Sequence, residues 1–257
     1  MVKGFYNVTS GMLTQRRTLD VISTNMSNVA TIGYKADTLL SSTFDEALMS
    51  RTGNEDKAHP EGLGDTSMAR IPRETVTNFD IGNLRPSNSP LDFAILTDGF
   101  FQVQTEGGEI RYTRNGSFNI DDRGYLCTQD GDLVLGENGP IQVYYPDSET
   151  QFNAEQISVD PAGNITDSEG NFVDRFDIVF FADTAQLVKQ DGFFTGGGDP
   201  LPVQATIQQR YLEASNVEPV KEMVKMIESE RHLQSLAQIL KMYDQMLSSA
   251  TTDIGRI

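Results

Sequence analysis

The sequence predicts an α+β fold, in which an antiparallel, coiled-coil-like pair of long terminal helices flanks a central all-β domain of short antiparallel strands. Two observations predict the helices: both ends of the chain repeat apolar residues at alternating steps of three and four. A third predicts the β domain, because short alternating runs separated by turn residues fill the middle. The predicted divisions are an N-terminal helix with its exit (1–35), a linker with an extended segment and a loop (36–68), a β-rich outer domain (69–212) and a C-terminal helix (213–257).

The N-terminal helix is predicted from an apolar seam in which only Gln15 is polar. The seam consists of Phe5, Val8, Met12, Gln15, Leu19, Ile22, Met26 and Val29. Gly33 is expected to follow the last turn, since glycine readily adopts the left-handed conformation there. An isolated helix of this kind is marginal in water, so it needs a partner. Two interpretations stay open: one helical hairpin in a globular core, or ends that pair with each other and with neighbouring subunits.

Residues 36–68 give a weaker pattern. Apolar residues between Asp37 and Met49 fit either a few helical turns or an extended segment. From Ser50 to Met68 the residues are polar and include several glycines, which predicts a loop.

Residues 69–212 carry turn signals at close intervals, which favours many short strands. The predicted turns are Gly107-Gly108, Arg114-Asn115-Gly116, Asp121-Asp122-Arg123-Gly124, Asp130-Gly131 and Glu137-Asn138-Gly139. An internal echo supports the prediction, because residues 118–126 resemble residues 157–165 at an offset of 39. Two similar hairpins are the simplest account of that echo.

The C-terminal helix is predicted from a second seam, with Pro219 tolerated in its first turn after a start signal at Ser215-Asn216. The step from Ile227 to Leu233 is six residues, one short of a heptad, so a stammer through Glu230 is expected. The seam consists of Val217, Val220, Val224, Ile227, Leu233, Leu236, Leu240, Tyr243 and Leu247.

Charge argues against nucleic acid as a partner, and the lack of a long apolar run argues against insertion into a membrane. The net charge is −17; residues 1–35 carry +3 and residues 213–257 carry −2, which leaves −18 for residues 36–212. Such acidity opposes nucleic-acid binding, which depends on neutralising phosphates. No apolar run approaches the roughly 20 residues of a membrane span. The first residues lack the apolar segment of a secretory signal, so any export is expected to use a route without a cleaved signal peptide.

The sequence predicts that the protein is not an enzyme. Cys127 is the single cysteine and is expected to be buried in a strand. The two histidines, His59 and His232, lie far apart, and neither a nucleophile motif nor a dinucleotide fingerprint is present. Carboxylates are abundant but cluster in turns, where aspartate is ordinary. We therefore assign no catalytic, cofactor-binding or metal-binding residues. An enzyme with a carboxylate pair remains one alternative.

Two terminal motifs resemble the axial proteins of the bacterial flagellum, the rod and hook subunits. Residues 24–35 are similar to the N-terminal signature of that family, Asn-Leu-Ala-Asn followed by Thr-x-Gly-Phe/Tyr-Lys, with Met26 and Ser27 as conservative departures. Residues 212–227 are similar to its C-terminal motif, and stretches between 90 and 118 resemble the β domain of the rod subunits. The signature residues are Asn25, Asn28, Thr31, Gly33, Tyr34 and Lys35, with Ser215, Asn216 and Val217 at the C-terminal end.

The resemblance implies a structural subunit of the flagellar basal-body rod, of distal-rod or proximal-rod type. Its partners would be further copies in a helical polymer, other rod and hook subunits, and the flagellar export apparatus. The terminal helices would form the inner tube of a hollow, torque-transmitting axial structure. The expected self-assembly interface consists of Phe5, Val8, Met12, Leu19, Ile22, Met26, Val224, Ile227, Leu233, Leu236, Leu240 and Leu247. The alternative from another class is a soluble cell-wall glycan-binding β module with a closed helical hairpin.

Overall fold

The chain folds into two compact units in a computed structural model that describes residues 2–43, 47–51, 61–66, 70–143, 157–167, 170–190 and 192–254. The first unit comprises Met1–Ser27, Asp37–Asn78 and Glu218–Ile257. The second comprises Asn28–Ala36 and Phe79–Val217. The chain passes between the two units at residues 27/28, 36/37, 78/79 and 217/218.

The first unit contains two long helices and two strand pairs. Its helices are α1 (Val2–Ser27) and α2 (Pro219–Ile254). Its strands are β1 (Asp37–Thr43), β2 (Ala47–Arg51), β3 (Glu61–Thr66) and β4 (Arg70–Thr77). β1 pairs antiparallel with β4, β2 pairs antiparallel with β3, and both β1 and β4 contact α1. Pro219 is the first residue of α2, a position where its missing N–H has no helical partner to lose.

The loop predicted from Ser50 to Met68 is wrong in its described part. Residues 61–66 form β3, and Arg51 pairs with Glu61. The polar, glycine-containing sequence hides this strand, since cross-strand pairing overrides a weak local β propensity. The remainder of the predicted loop, 52–60 and 67–68, lies outside the described residues.

α1 and α2 pack antiparallel. A Cβ at Gly4 would lie 2.3 Å from the Tyr243 hydroxyl, and one at Gly11 would lie 3.6 Å from Leu236 Cδ1. Further along, Gln15 Nε2 donates to Ser229 Oγ. Later residues of α1 thus meet earlier residues of α2, and two small residues let the helices approach closely.

The stammer predicted in α2 is wrong, because the predicted seam combines two different faces of one helix. The less exposed positions of α2 step by four and three without interruption, and they are Glu222, Met226, Ser229, Leu233, Leu236, Leu240 and Tyr243. At 100° per residue, Val220, Val224 and Ile227 lie on the opposite side. The six-residue step from Ile227 to Leu233 therefore marks a change from the outer face to the inner face.

The described part of the second unit consists mostly of short strands and includes a 3₁₀ turn at Thr184–Gln186. The strands are β5 (Leu84–Pro86), β6 (Phe93–Ile95), β7 (Phe100–Gln104), β8 (Ile110–Thr113), β9 (Asn119–Ile120), β10 (Leu126–Cys127), β11 (Leu133–Gly136), β12 (Gly139–Pro140), β13 (Ser158–Val159), β14 (Asn164–Thr166), β15 (Phe172–Arg175), β16 (Ile178–Phe180), β17 (Leu187–Gln190), β18 (Phe193–Gly196), β19 (Leu201–Pro202), β20 (Ile207–Gln209) and β21 (Tyr211–Glu213).

The largest sheet runs β17-β18-β8-β7-β11-β10-β9, with β12 paired to β11, and β16 paired to both β7 and β19. Smaller sheets are β13-β14-β15, β6-β20 and β5-β21. All these pairs are antiparallel. The α+β class and the central domain of antiparallel strands are therefore confirmed.

Five turns in the described part of this unit share one hydrogen-bond pattern. In each, the first N–H donates to the fifth carbonyl and the fourth N–H donates to the first carbonyl. The fourth residue is always glycine with φ between 79° and 93°, a conformation that glycine adopts without strain. The turns span residues 105–109, 121–125, 128–132 and 160–164, with the fifth between Asp167 and Asn171.

The internal echo corresponds to two matching hairpins, as predicted. Asp121 Oδ1 accepts from the N–H groups of Arg123 and Tyr125. Asp160 Oδ1 accepts from the N–H groups of Ala162 and Asn164 in the same way. The repeated aspartates therefore close turns.

The hairpin predicted at Arg114-Asn115-Gly116 is wrong. β8 ends at Thr113 and pairs with β7 and β18, while the next bridge joins Ser117 to Asp92. Gly116 instead allows a close backbone approach, because a Cβ there would lie 1.8 Å from the Phe93 carbonyl oxygen.

Aromatic rings fill the core of the second unit. Phe93, Phe101, Phe118 and Phe176 form a cluster with ring centroids 5.1–6.4 Å apart. Such contacts add to the stabilisation from burial alone. Cys127 is buried in β10, as predicted, and burial raises the pKa of its thiol. A second cluster of buried residues consists of Phe100, Tyr112, Val179, Phe181 and Phe194.

Candidate functional site

Three charged residues from distant parts of the chain meet in the interior of the second unit. Lys35 Nζ lies 2.6 Å from Glu213 Oε1, and Arg114 Nη1 lies 3.3 Å from Glu213 Oε2. Their side chains are 0%, 2% and 1% exposed for Lys35, Arg114 and Glu213. We call these three residues the buried triad.

The remaining hydrogen-bonding capacity of Lys35 and Glu213 is largely filled, whereas Arg114 Nε is buried without a hydrogen-bond partner among the described residues. Lys35 Nζ also donates to the carbonyls of Phe79 and Asp80, at 3.3 and 2.9 Å. Glu213 Oε1 also accepts from the Gly82 N–H at 2.8 Å. The Arg114 guanidinium lies over the Phe100 ring, 5.4 Å from its centroid. A carboxylate so fully engaged and enclosed has no access to a ligand, so the triad is suited to holding segments together.

Burial and the neighbouring carboxylate have opposite effects on the pKa values of the two basic residues of the triad. Burial lowers the pKa of the Lys35 ammonium, and the Glu213 carboxylate opposes that change. Burial likewise lowers the pKa of the Arg114 guanidinium, and the Glu213 carboxylate again opposes that change. A buried charge is tolerated only when a partner compensates its lost hydration. Both cations of the triad therefore depend on Glu213.

Local backbone geometry brings the triad together. β8 ends at Thr113 and β21 ends at Glu213, so both strands deliver their charged residues at their ends. Gly33 has φ +68 and donates its N–H to the Glu213 carbonyl at 2.8 Å. Gly33 thus takes the left-handed conformation that the sequence predicted, and the helix ends before it.

The other signature residues in the second unit lie beside the triad. Asn216 Oδ1 accepts from the Ala36 N–H at 2.7 Å, and its Nδ2 donates to the Asp80 carbonyl at 3.0 Å. Lys189 Nζ donates to the Lys35 carbonyl and lies 3.5 Å from the centroid of the Tyr34 ring. The N-terminal and C-terminal motifs therefore pair with each other within this unit.

Two signature asparagines organise local backbone. In the first unit, Asn25 exchanges two hydrogen bonds with the backbone of Asp37, at 2.8 and 2.9 Å. In the second unit, the Thr31 hydroxyl donates to Asn28 Oδ1 at 3.1 Å. Val217 is buried, whereas Ser215 is half-buried and its hydroxyl accepts from the Val217 N–H.

We expect Gly33→Ala to destabilise the second unit strongly. A Cβ at Gly33 would lie 2.5 Å from the backbone of Arg114 and Asn115. Holding an alanine in the left-handed conformation is expected to lower the free energy of unfolding by about 1–2 kcal/mol. The steric overlap is expected to lower it by about 1–3 kcal/mol more. Urea unfolding followed by circular dichroism measures the change.

Gly108→Ala is the matched control for Gly33→Ala. Gly108 also has positive φ, +82, but a Cβ there meets nothing within 4 Å. This control is expected to lose only the left-handed contribution of about 1–2 kcal/mol. Equal losses in the two variants would show that the close contact at Gly33 does not matter.

The predicted self-assembly residues are distributed over differently exposed positions of the two helices. Val8 and Ile22 are buried, and Phe5, Val224, Ile227 and Leu247 are exposed. The half-buried members are Met12, Leu19, Met26, Leu233, Leu236 and Leu240. The predicted set thus mixes residues that join α1 to α2 with residues that face outward.

The outward faces combine apolar side chains of the predicted set with others that it omits. Val220, Met223, Val224 and Ile227 are each more than half exposed, and together they form what we call the outer stripe of α2. Tyr6 and Leu13 are exposed on the outer side of α1. The outer stripe is therefore a candidate interaction surface.

Sequence reasoning also missed Glu213 and Arg114 as partners of the signature lysine. The available signal was an unpaired charge of opposite sign in each terminal motif, Lys35 in one and Glu213 in the other. Nothing in a local window indicates that Arg114 joins them.

Known proteins resemble this chain in sequence along its whole length. Residues 94–167 match the family described as flagellar hook protein FlgE/F/G D1 domain, and residues 208–253 match flagellar basal body rod FlgEFG protein C-terminal. Flagellar basal-body rod protein FlgF of Caulobacter vibrioides is 33% identical over the full length of both chains. FlgG of Bacillus subtilis is 30% identical over 96% of this chain and 97% of its own. FlhO of Bacillus subtilis, a flagellar hook-basal body complex protein, is 27% identical over all of both chains.

The resemblance in the terminal motifs is thereby confirmed. In the described part of the chain, neither helix combines the length and the apolar character needed to cross a membrane. Identity of 33% over the entire length establishes membership of a family of structural proteins. The chain belongs to the flagellar basal-body rod protein family and is a structural subunit of the rod in the bacterial flagellar basal body.

Proposed function

We propose that the chain polymerises through α1 and α2 into a hollow axial tube that transmits torque. Within one copy, the two helices pack with the three-and-four spacing of a coiled coil, and between copies their outer faces make the contacts. The proposed interface retains the outward members of the predicted set, Phe5, Val224, Ile227 and Leu247. The buried and half-buried members stiffen each copy. In the assembled tube, α1 and α2 line the lumen.

The observation that carries this proposal is the outer stripe of α2. Four apolar side chains, each more than half exposed, recur at steps of three, one and three on the side of the helix turned away from α1. Exposure of such an apolar stripe to water is unfavourable, and packing of a second copy against it removes the stripe from water. A contact between two different faces of the same chain generates a filament when its rotation does not close into a ring.

The basal-body family supplies the neighbours in this proposal. Other rod and hook subunits present related helices at the ends of the tube. The chain reaches that location through the flagellar export apparatus, without insertion into a membrane and without nucleic acid.

Assembly of purified full-length chain tests the proposal. At rising protein concentration, sedimentation is expected to show a sharp onset of pelletable material, and electron microscopy of that material is expected to show tubes with α1 and α2 lining the lumen. A chain that stays monomeric up to its solubility limit, with both helices fully protected from hydrogen exchange, would contradict it.

A further inference from the structure

A second exposed apolar surface lies near the C-terminal end of α2, at the other end of the helix from the outer stripe. Met242 and Met246 are each more than half exposed, and Leu247 is 44% exposed. Ile239, Met242 and Met246 line a groove of about 600 Å³ along this part of the helix. We call Ile239, Met242, Met246 and Leu247 the C-terminal patch of α2.

The C-terminal patch continues the seam between α1 and α2. The inner positions of α2 include Leu236, Leu240 and Tyr243 at steps of four and three, and Leu247 is the next position of that series. Tyr243 lies against Gly4 of α1, and α1 begins at Val2. Leu247 is nevertheless exposed, so the described part of α1 leaves the inner face of α2 partly uncovered there. A surface that packs against a helix along most of its length is suited to a further helix where that packing stops.

The two exposed surfaces of α2 differ in position and in direction. The outer stripe spans residues 220–227 and the C-terminal patch spans residues 239–247, so their centres are about 30 Å apart at 1.5 Å per residue. At 100° per residue, their mean directions differ by roughly 110°. A contact between them in two copies is therefore heterologous, with each copy offering one surface at each end.

The direction of stacking selects the outer stripe as the surface that meets the C-terminal patch. When copies stack end to end in the same direction, the C-terminal end of α2 in one copy lies beside the N-terminal end of α2 in the next. Because α1 is antiparallel to α2, the last turns of α1 lie at that same end. Their exposed side chains are all polar, namely Asp20, Ser23, Thr24 and Ser27. Tyr6 and Leu13 lie in the first half of α1, away from this end, so the outer stripe is the apolar surface that the helices present there.

We propose that the C-terminal patch of α2 packs against the outer stripe of α2 in a second copy of this chain, head to tail and with the two helices parallel. This inference rests on the proposed assembly function and names the two surfaces that meet in it. Met242 and Met246 suit the contact, since unbranched thioether side chains adapt to the branched side chains of Val224 and Ile227. Every added copy leaves one stripe and one patch free, at opposite ends of the growing assembly.

Cross-linking between two cysteine variants of the full chain tests the contact. Val224→Cys and a size-tagged Met246→Cys are mixed, polymerised and treated with a short bis-maleimide, and the products are separated by size under denaturing conditions. The mixture is expected to give a dimer of one tagged and one untagged chain, and each variant alone is expected to stay at background. The unmodified chain sets that background, because its single cysteine, Cys127, is buried.

Gln234→Cys is the matched control for Val224→Cys. Gln234 is also exposed on α2, but it lies ten residues from Val224, which is about 15 Å along the helix. Mixed with Met246→Cys, it is expected to give no product above background.

Loss of the patch is expected to weaken assembly as well. Met242→Gln combined with Met246→Gln is expected to raise the critical concentration for polymerisation at least about tenfold, because two apolar side chains of the contact are lost. Glutamine is a good helix former, so the circular dichroism of the single copy is expected to stay unchanged. Lys241→Gln changes an exposed charge on the same stretch of α2 and is expected to leave the critical concentration within about twofold.

Two results would overturn the contact and leave the proposed assembly intact. One is pelleted polymer without the mixed dimer, or with equal dimers from each cysteine variant alone, which indicates contacts between identical surfaces. The other is an unchanged critical concentration for the double glutamine variant. Failure of the unmodified chain to polymerise would instead remove the assembly and this contact together.

Discussion

Glu213→Gln is expected to lower the free energy of unfolding by about 3–5 kcal/mol. The change removes the single acid of the buried triad and leaves the ammonium of Lys35 and the guanidinium of Arg114 enclosed without the carboxylate that pairs with both. Glutamine has nearly the same volume as glutamate, so the loss reports on charge rather than on a cavity. Urea unfolding followed by circular dichroism measures it.

Glu109→Gln provides the control for the triad. Glu109 also pairs with an arginine, Arg111, at 3.3 Å, but its side chain is 60% exposed. Exposed pairs contribute about 0–1 kcal/mol, so this variant is expected to unfold almost like the unmodified chain. Should both variants lose the same small amount, the triad would not be what holds the two signature motifs together.

The sequence predicted the elements whose signals are local. The α1 seam and the glycine at each hairpin turn are visible in windows of five to eleven residues, and these elements appear in the structure. Gly33 is an example, because its place after the apolar repeat indicated the left-handed conformation it adopts. The strand at 61–66 escaped prediction because its partner, not its composition, makes it a strand.

The parts that could not be predicted depend on contacts between residues far apart in sequence and on which side of a helix faces its partner helix. Lys35 and Glu213 are 178 residues apart, and no periodicity links them. The apolar residues of α2 form two stripes, and periodicity alone does not say which one faces α1. Only the contacts of Gly4, Gly11 and Gln15 decide that the inner stripe passes through Leu236 and Ser229.

Val224→Glu combined with Ile227→Glu is expected to abolish assembly. Both side chains are slightly more than half exposed in a single copy, at 51% and 52%, and they lie on the side of α2 turned away from α1. Burying two unpaired carboxylates between copies is strongly unfavourable, so the critical concentration is expected to rise at least about 100-fold. The measurement is sedimentation over a concentration series, with electron microscopy of the pellet.

The same variant is expected to leave the single copy intact, which separates assembly from folding. Glutamate is a good helix former, and surface substitutions change stability by about 0.5 kcal/mol or less. Val188→Glu is the matched control, since Val188 is 62% exposed on β17 of the other unit and the change adds the same kind of charge. Because the β domain lies outside the proposed interface, this control is expected to polymerise normally. If both changes blocked assembly, net charge rather than the outer stripe would govern it; if neither did, the subunits would have to meet through another surface.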